Sequence, residues 1–322
     1  MTSQARQPTF PALEDVCMAR ERIRTVARQT PLVPLHELHG GDDVFLKLET
    51  FQPIGSFKLR GVFNAVASLP DEERRKGLST VSAGNTAQAL AFSGRHFGVE
   101  SRSVMPDSAP RAKIEAMRAY GGVPVLVPVS EVFRYLKGRL WERESYAFIH
   151  PWTNSDVMTG HGTLGIEIVE QLPDVDTVFV PVGGGGLICG VGAALRALKP
   201  GIRIVGVEPA GCPSLHESLR AGRPVEVDCR TLCDGVAVPY ITDEMFPLLE
   251  ELVSGTRLVS ENDVMKTLRN LAVYDKLVAE ASGSLALAAA LSMPVSERGR
   301  SVAIVTGGSI DARKLADVLS GE

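Results

Sequence analysis

The sequence predicts an α/β fold in two lobes, with sheets rich in parallel strands and flanked by helices. Three features predict it. Apolar, β-rich runs alternate with helical patterns along nearly the whole chain, the order that builds βαβ units. The chain has 322 residues, too many for one small core and enough for two lobes. Its glycine- and serine-rich stretches follow apolar runs directly, where loops at strand carboxyl ends carry the sites of such folds.

The elements follow in order. VFLKLE (44–49) reads as a strand, Pro53 to Gly55 as a turn, and Phe57 to Ser68 as a helix. LSTVSA (78–83) is a strand before a helix from Ala87 to Phe97, and SRSVMP (101–106) a strand before a helix over 110–120. VPVLVP (123–128) and TVFVPV (177–182) are strands, the second running through Gly183–Gly186 into a helix from Leu187 to Leu198. RIVGVE (203–208) and SVAIVTGG (301–308) complete the strands, with a short helix from Asp311 to Leu319. There is no repeat or linker. The lobes are therefore expected to interleave, with 77–149 as the small mobile lobe and 1–76 plus 150–322 as the large one.

Composition excludes several classes. Hydrophobic residues at 44% and charged residues at 22% are ordinary for a globular chain, so disorder is not the default. A net charge of -4 without a basic stripe argues against nucleic acid. The N-terminus, MTSQARQPTF, lacks the apolar core of a signal peptide. The longest apolar run, Leu285 to Leu291, is too short to span a bilayer and fits a buried helix. Cys17, Cys189, Cys212, Cys229 and Cys233 form no CxxC pair. Their odd number and the absent signal predict free thiols in a reducing cytoplasm.

Four motifs carry chemistry. In Gly55-Ser56-Phe57-Lys58-Leu59-Arg60-Gly61 a lysine stands in the first turn of a helix. The helix dipole there lowers the affinity of an amine for its proton, which suits a lysine that must form a Schiff base. Taken alone, a solvated surface lysine is the simpler reading, and Lys47 in the preceding strand competes; the flanking glycines and Phe57 favour Lys58. Ser82-Ala83-Gly84-Asn85-Thr86-Ala87-Gln88 opens the next helix. It is equally a carboxylate-binding nest or an ordinary N-cap. Gly183-Gly184-Gly185-Gly186 lets backbone N–H groups approach a phosphate at a helix N-terminus. A dinucleotide site is the rival there, with Glu208 at the end of the next strand, but the G-x-G-x-x-G pattern fails at Cys189. Thr306-Gly307-Gly308-Ser309 ends the last strand and, in isolation, is a capped turn. The six histidines show no metal-ligand spacing; His150 and His161 fall where a strand end could line a pocket.

In this order and register, the four motifs resemble those of the threonine/serine dehydratase group of fold-type II pyridoxal-phosphate enzymes, which includes serine racemase and shares the tryptophan synthase β fold. The resemblance runs from Thr30-Pro31-Leu32 to Ser309 and is most specific over KLETFQPIGSFKLRG, Lys47 to Gly61. It implies a lyase that releases water and then ammonia from a β-hydroxy amino acid, leaving a 2-oxo acid. Lys58 would carry the cofactor as a Schiff base and later act as acid or base. Phe57 would pack beside the ring, Asn85 meet the ring hydroxyl, Gly183, Gly184, Gly185 and Gly186 hold the phosphate, Ser309 meet the pyridine nitrogen, and Glu280 lie near the ring. Ser82, Ala83, Asn85 and Thr86 would bind the substrate carboxylate, with Trp152 in the substrate pocket. A hydroxyl at the ring nitrogen makes a weaker electron sink than an acid would, which suits elimination over transamination.

Three departures from the group stand out. Ala83 replaces the serine that acts on the opposite face in serine racemases. Thr86 replaces the usual histidine of GNH; GNT is typical of cysteine synthase and threonine synthase relatives. His150-Pro151-Trp152-Thr153-Asn154 with Gly160-His161-Gly162-Thr163 departs from HPF or HPN followed by GQGT, so Trp152 and His161 are expected to reshape the substrate pocket. Glu208 matches a cation ligand of racemase-like members, but Ser214 stands where an Asp would complete that site. No metal ligand is therefore assigned. The resemblance also implies a homodimer, and because the last motif lies close to residue 322 the C-terminal regulatory domain of biosynthetic threonine dehydratases is not expected. The alternatives, in order, are a β- or γ-replacement enzyme with the same cofactor, an NAD-dependent dehydrogenase, and a non-catalytic amino-acid-binding protein. Ala83→Ser is expected to raise racemisation of serine above its basal level, read by chiral chromatography; no rise would mean that position 83 is not on the opposite face or is not sufficient alone.

Overall fold

The computed structural model describes residues 8–109 and 111–321. The polar N-terminus at 1–7 and the first residue of the helix expected over 110–120 lie outside them. The strands are β1 (Leu32–Pro34), β2 (Val44–Leu48), β3 (Leu78–Val81), β4 (Ser101–Pro106), β5 (Val123–Val127), β6 (Ala147–Phe148), β7 (Thr177–Pro181), β8 (Arg203–Pro209), β9 (Gly255–Val259) and β10 (Ser301–Val305). They form two sheets, β1-β2-β10-β7-β8-β9 and β5-β4-β3-β6. All pairings are parallel except β1 with β2 at one edge.

Strands covered by helices on both faces must be apolar throughout rather than alternating. β7 and β10 are buried at every position, and so is β3. This is why VFVP and VAIV read as continuous apolar runs. The Leu285–Leu291 stretch belongs to the helix Ala281–Leu291, whose interior is fully buried against the six-stranded sheet. Among the described residues, no helix is long and apolar enough to cross a membrane.

The sequence pattern does not mark out the helix Ser155–Gln171; three glycines and a histidine dilute its apolar stripe. Those small residues allow close packing. A Cβ on Gly160 would lie 2.5 Å from the Arg60 carbonyl of the helix Lys58–Ser68, and one on Gly165 would lie 2.6 Å from the Val191 carbonyl of the helix Gly186–Leu198.

A charged network is buried at that packing layer. Arg60 is 1% exposed. It donates to Glu49 through Nε (2.8 Å) and Nη2 (2.8 Å), and to Glu167 through Nη1 (2.6 Å) and Nη2 (2.9 Å). Lys47 donates to Glu167 (2.6 Å), Gln171 (2.8 Å) and the Thr30 carbonyl (2.7 Å). Burial works against the Arg60 charge, but the two carboxylates outweigh it and raise its pKa. Burial likewise opposes ionisation of Glu49, and Arg60 more than compensates, lowering that pKa. Lys47 is thus committed to structure, which leaves Lys58 as the lysine for chemistry.

The cysteines correct one expectation. Cys212 and Cys229 are bonded, with Cα atoms 4.3 Å apart, while Cys17, Cys189 and Cys233 are free. The loop after β8 folds back so that Arg230 N–H donates to the Gly211 carbonyl. A separation of 17 residues carries no sign of that return. Arg60→Ala is expected to destabilise the fold by about 3–5 kcal/mol in denaturant unfolding, because Glu49 loses its guanidinium and Glu167 keeps Lys47 as its one cation beside the Thr30 N–H; a loss under about 1 kcal/mol would mean that the pair is not the anchor of this layer.

Candidate active site

Lys58 is the first residue of its helix, and its N–H faces the Ser56 hydroxyl at 3.4 Å. Gly55 reaches the turn with φ +70°, a backbone that side chains resist. The turn is clamped to the end of β10: Phe57 N–H donates to the Thr306 carbonyl (3.1 Å), and Gly308 N–H to the Gly55 carbonyl (2.9 Å). Lys58 Nζ donates to the Pro151 carbonyl at 3.3 Å. Burial lowers its pKa to about 8, against the attraction of Glu280.

Glu280 arrives from a third element. Its N–H donates to the Gly307 carbonyl (2.9 Å), and its Oε1 accepts from Asn85 Nδ2 (2.8 Å). Burial pushes the Glu280 carboxyl up to about 7, against the pull of Lys113. Gly307 is required at this convergence: a Cβ there would lie 2.7 Å from Glu280 Oε1 and 3.2 Å from Asn85 Nδ2. Asn85 begins the helix Asn85–Phe97, and its Oδ1 is buried without a partner.

Opposite lies the glycine loop. Gly185, at φ +90°, precedes the helix Gly186–Leu198, whose first residues, Gly186 and Leu187, line the cavity. Trp152 lies flat on this loop, so close that a Cβ on Gly184 would stand 2.3 Å from its ring. His150 holds the Trp152 segment. Its Nδ1 accepts from Trp152 N–H (3.4 Å) and Thr153 N–H (3.1 Å), and its ring meets the indole edge-on at 4.7 Å. Burial brings the His150 pKa down to about 3, so the ring stays neutral and able to accept.

These groups share one cavity of about 470 Å³. Phe57, Lys58, Ser82, Ala83, Asn85, Thr86, Trp152, Gly183, Gly184, Gly185, Gly186 and Glu280 all line it. Ser309 does not. It borders a neighbouring cavity of about 520 Å³ with Ile310, Lys314 and Met265. The turn after β10 reverses at Gly307 and Gly308, so its first residue, Thr306, is the one that lines the cavity with Lys58. His161 is not at a strand end. It sits in the helix Ser155–Gln171, 1% exposed, behind Phe57 with ring centroids 4.8 Å apart. There it shapes the seat of Phe57 rather than the cavity wall, and burial drives its pKa well below the usual value. Sequence reasoning also missed Lys113, Ser282 and the loop Asp234–Tyr240, all of which line the cavity. Thr306 was within the motif; the loop has no pattern that separates it from ordinary connecting chain.

Glu208, the acid of the dinucleotide alternative, is engaged elsewhere. It accepts from Leu215 N–H (2.7 Å), His216 N–H (2.8 Å) and the Ser214 hydroxyl (3.3 Å) at the start of the helix Ser214–Ala221. Among the described residues, no three His, Cys, Asp or Glu side chains cluster as metal ligands.

Residues 23–307 match the family model described as pyridoxal-phosphate dependent enzyme. The chain belongs to that family. It is 38% identical over 315 residues to an L-threonine ammonia-lyase of Thermotoga maritima, covering 96% of this chain and 78% of the relative. It is 35% identical to the L-threo-3-hydroxyaspartate ammonia-lyase of Saccharomyces cerevisiae, covering 97% of each. The structure of maize serine racemase superposes with a TM-score of 0.89 at 31% identity, over 97% of this chain and 98% of that one. A pyridoxal-phosphate dependent enzyme needs an amine that loses its proton readily, a phosphate seat and polar groups for the ring. Here Lys58 at about 8, the glycine loop at a helix N-terminus, and the unpartnered Asn85 Oδ1 fit those needs.

Only the neutral amine condenses with an aldehyde. Cofactor uptake by the apoprotein, followed as visible absorbance, is therefore expected to quicken about tenfold per pH unit below pH 8 and level off above it. Glu280 raises the Lys58 pKa, so Glu280→Gln is expected to move that midpoint to lower pH; an unmoved midpoint would disconnect the two groups.

Proposed function

We propose that this chain is a pyridoxal-phosphate-dependent ammonia-lyase that converts a β-hydroxy amino acid into a 2-oxo acid and ammonia by β-elimination. The observation that carries this reading is the convergence of Lys58, Asn85, Glu280 and the glycine loop on one cavity, in a chain similar to L-threonine and L-threo-3-hydroxyaspartate ammonia-lyases.

The cofactor would be held by Lys58, by Phe57 beside its ring, by Asn85, Glu280 and Thr306 around its polar edge, and by Gly183–Gly186 at its phosphate. When bound, it withdraws electrons from the substrate Cα and so acidifies the α-proton. Lys58, once released to its free amine, is the base for that proton. A side-chain pKa near 8 keeps a useful neutral fraction at neutral pH while leaving the ammonium able to return a proton. The Ser82–Thr86 segment, opening the helix Asn85–Phe97, orients the substrate carboxylate with backbone N–H groups. The 2-oxo acid forms with no oxidant: the Cα–H and Cβ–O bonds break, and hydrolysis of the resulting enamine releases ammonia.

Ala83 supports elimination over racemisation, because no hydroxyl stands at that point of the cavity wall. Thr306, a neutral hydroxyl beside the cavity, supports the same choice, since it cannot hold a proton on the ring as a carboxylic acid would. The division into a small lobe over 77–149 and a large lobe over the remainder is part of this reading, supported by the separate sheet of β3 to β6. Lys58→Ala is expected to abolish both the visible cofactor absorbance and 2-oxo acid release from every β-hydroxy amino acid tested; turnover at the normal rate in that variant would overturn the assignment.

A further inference from the structure

The cavity has a second end that the chemistry at Lys58 does not use. Beyond the Ser82–Thr86 segment its wall is made by Val104 and Val132 from the small sheet and its covering helix, Leu136 from that same helix (Val129–Lys137), and Trp152, Val238 and Tyr240. All six present apolar or aromatic surface, apart from the Tyr240 hydroxyl and the buried indole N–H of Trp152, which has no partner among the described residues. The lining cations are Lys58, which is committed to the cofactor, and Lys113, whose amine is bonded to Asp234. Among the described residues, the lining acids are Asp234 and Glu280, and no arginine lines the cavity. A second carboxylate on a substrate would therefore enter a wall without a free cation, and a buried unpaired charge is costly.

Leu136, Trp152 and Tyr240 also border an outer cleft of about 1000 Å³. They form a partition, not a closed end. The partition is fixed on both sides. Lys137 Nζ sits 5.1 Å from the Tyr240 ring centroid and pairs with Glu226 at 3.0 Å, while His150 and Gly184 fix the indole.

We propose that this site selects β-hydroxy amino acids whose β-substituent is apolar and larger than methyl, and that Leu136, Trp152 and Tyr240 are the residues that select it. The inference rests on the ammonia-lyase reading and names its substrate class. An isopropyl or phenyl group on Cβ meets the apolar partition. Serine leaves it uncovered, and 3-hydroxyaspartate sets a charge against it.

The test has two arms on the holoenzyme. In the first, kcat/KM for 2-oxo acid release is compared for serine, threonine, 3-hydroxyleucine, 3-phenylserine and 3-hydroxyaspartate. The expected order places 3-hydroxyleucine or 3-phenylserine at least about tenfold above serine, the discrimination that even one methylene supplies in an apolar pocket. The charged substrate is expected last. Leu136→Arg, on a half-exposed helix position, is expected to raise 3-hydroxyaspartate relative to 3-hydroxyleucine by about tenfold or more. In the second arm, leucine, alanine and aspartate, which lack the leaving group, are titrated calorimetrically into the same protein, with leucine expected to bind at least about tenfold more tightly than the others. Serine, threonine or 3-hydroxyaspartate as the best substrate overturns the inference and leaves the lyase standing. Preferential leucine binding with no 2-oxo acid from any substrate overturns the lyase and keeps the apolar selection. Equal binding with no turnover overturns both.

Discussion

A guanidinium between two buried carboxylates holds the layer on which the lysine turn rests. Arg60 follows Lys58 by two residues on the same helix, so whatever fixes Arg60 fixes the start of that helix. Glu49 comes from the end of β2 and Glu167 from the helix Ser155–Gln171, and Lys47 draws Glu167 back to β2. Three elements are thereby tied at one point. Burying such charges gains little net stability over an apolar core of the same shape, but any displacement of one partner strands a charge. The arrangement therefore resists sliding of the helix along the sheet, and the turn carrying Lys58 inherits that rigidity. The same helix contact needs Gly160 and Gly61, since a Cβ on Gly61 would lie 2.4 Å from the His161 ring.

Rigidity below the turn lets electrostatics act above it. Lys58 and Glu280 are each shifted mainly by burial, in opposite directions: the amine falls to about 8 and the carboxyl rises to about 7. Each also stabilises the other's charge. Both groups are thus brought toward neutrality within about a unit of each other, the condition under which protons move readily between a site and its ligand. Asn85 joins the two halves of this arrangement, since its amide N–H binds Glu280 while its carbonyl oxygen is left for a ligand.

Much of this was legible in the sequence, and the failures have physical causes. Continuous apolar runs such as VFVP and VAIV gave the parallel sheets directly, because strands covered on both faces have no polar side. The Lys58 turn, the Asn85 helix start and the glycine run were legible because each depends on backbone geometry that only a few residue types tolerate. Ser309 was expected at the ring because a Thr-Gly-Gly-Ser turn has a hydroxyl at both ends and the sequence does not say which end faces inward; Thr306 lines the cavity with Lys58, while Ser309 lines its neighbour. Cys212 with Cys229, and the loop Asp234–Tyr240, were illegible for another reason. Their positions follow from how the chain returns after β8, a long-range contact without a local pattern. Lys47 needed the network itself to be seen as structural.

Trp152, His150 and the glycine loop fit together as one packing solution. An indole at position 152 demands space, and Gly184 supplies it by lacking the Cβ that would otherwise collide with the ring. The phosphate seat and the substrate wall are in that sense the same contact. A change at Gly184 made to alter the phosphate seat would push Trp152 into the cavity, and a smaller residue at 152 would leave the glycine loop without its cover. His150 completes the unit: kept neutral by burial, it accepts two backbone N–H groups and sets the indole angle without placing a charge beside Lys58. The glycine run therefore serves two masters, the anion at the helix N-terminus and the aromatic face that closes the pocket. Gly184 and Gly186 make room for Trp152, while Gly185 takes φ +90° against Leu249 and Gly183 lies against Val236, so each glycine of the run meets a close neighbour.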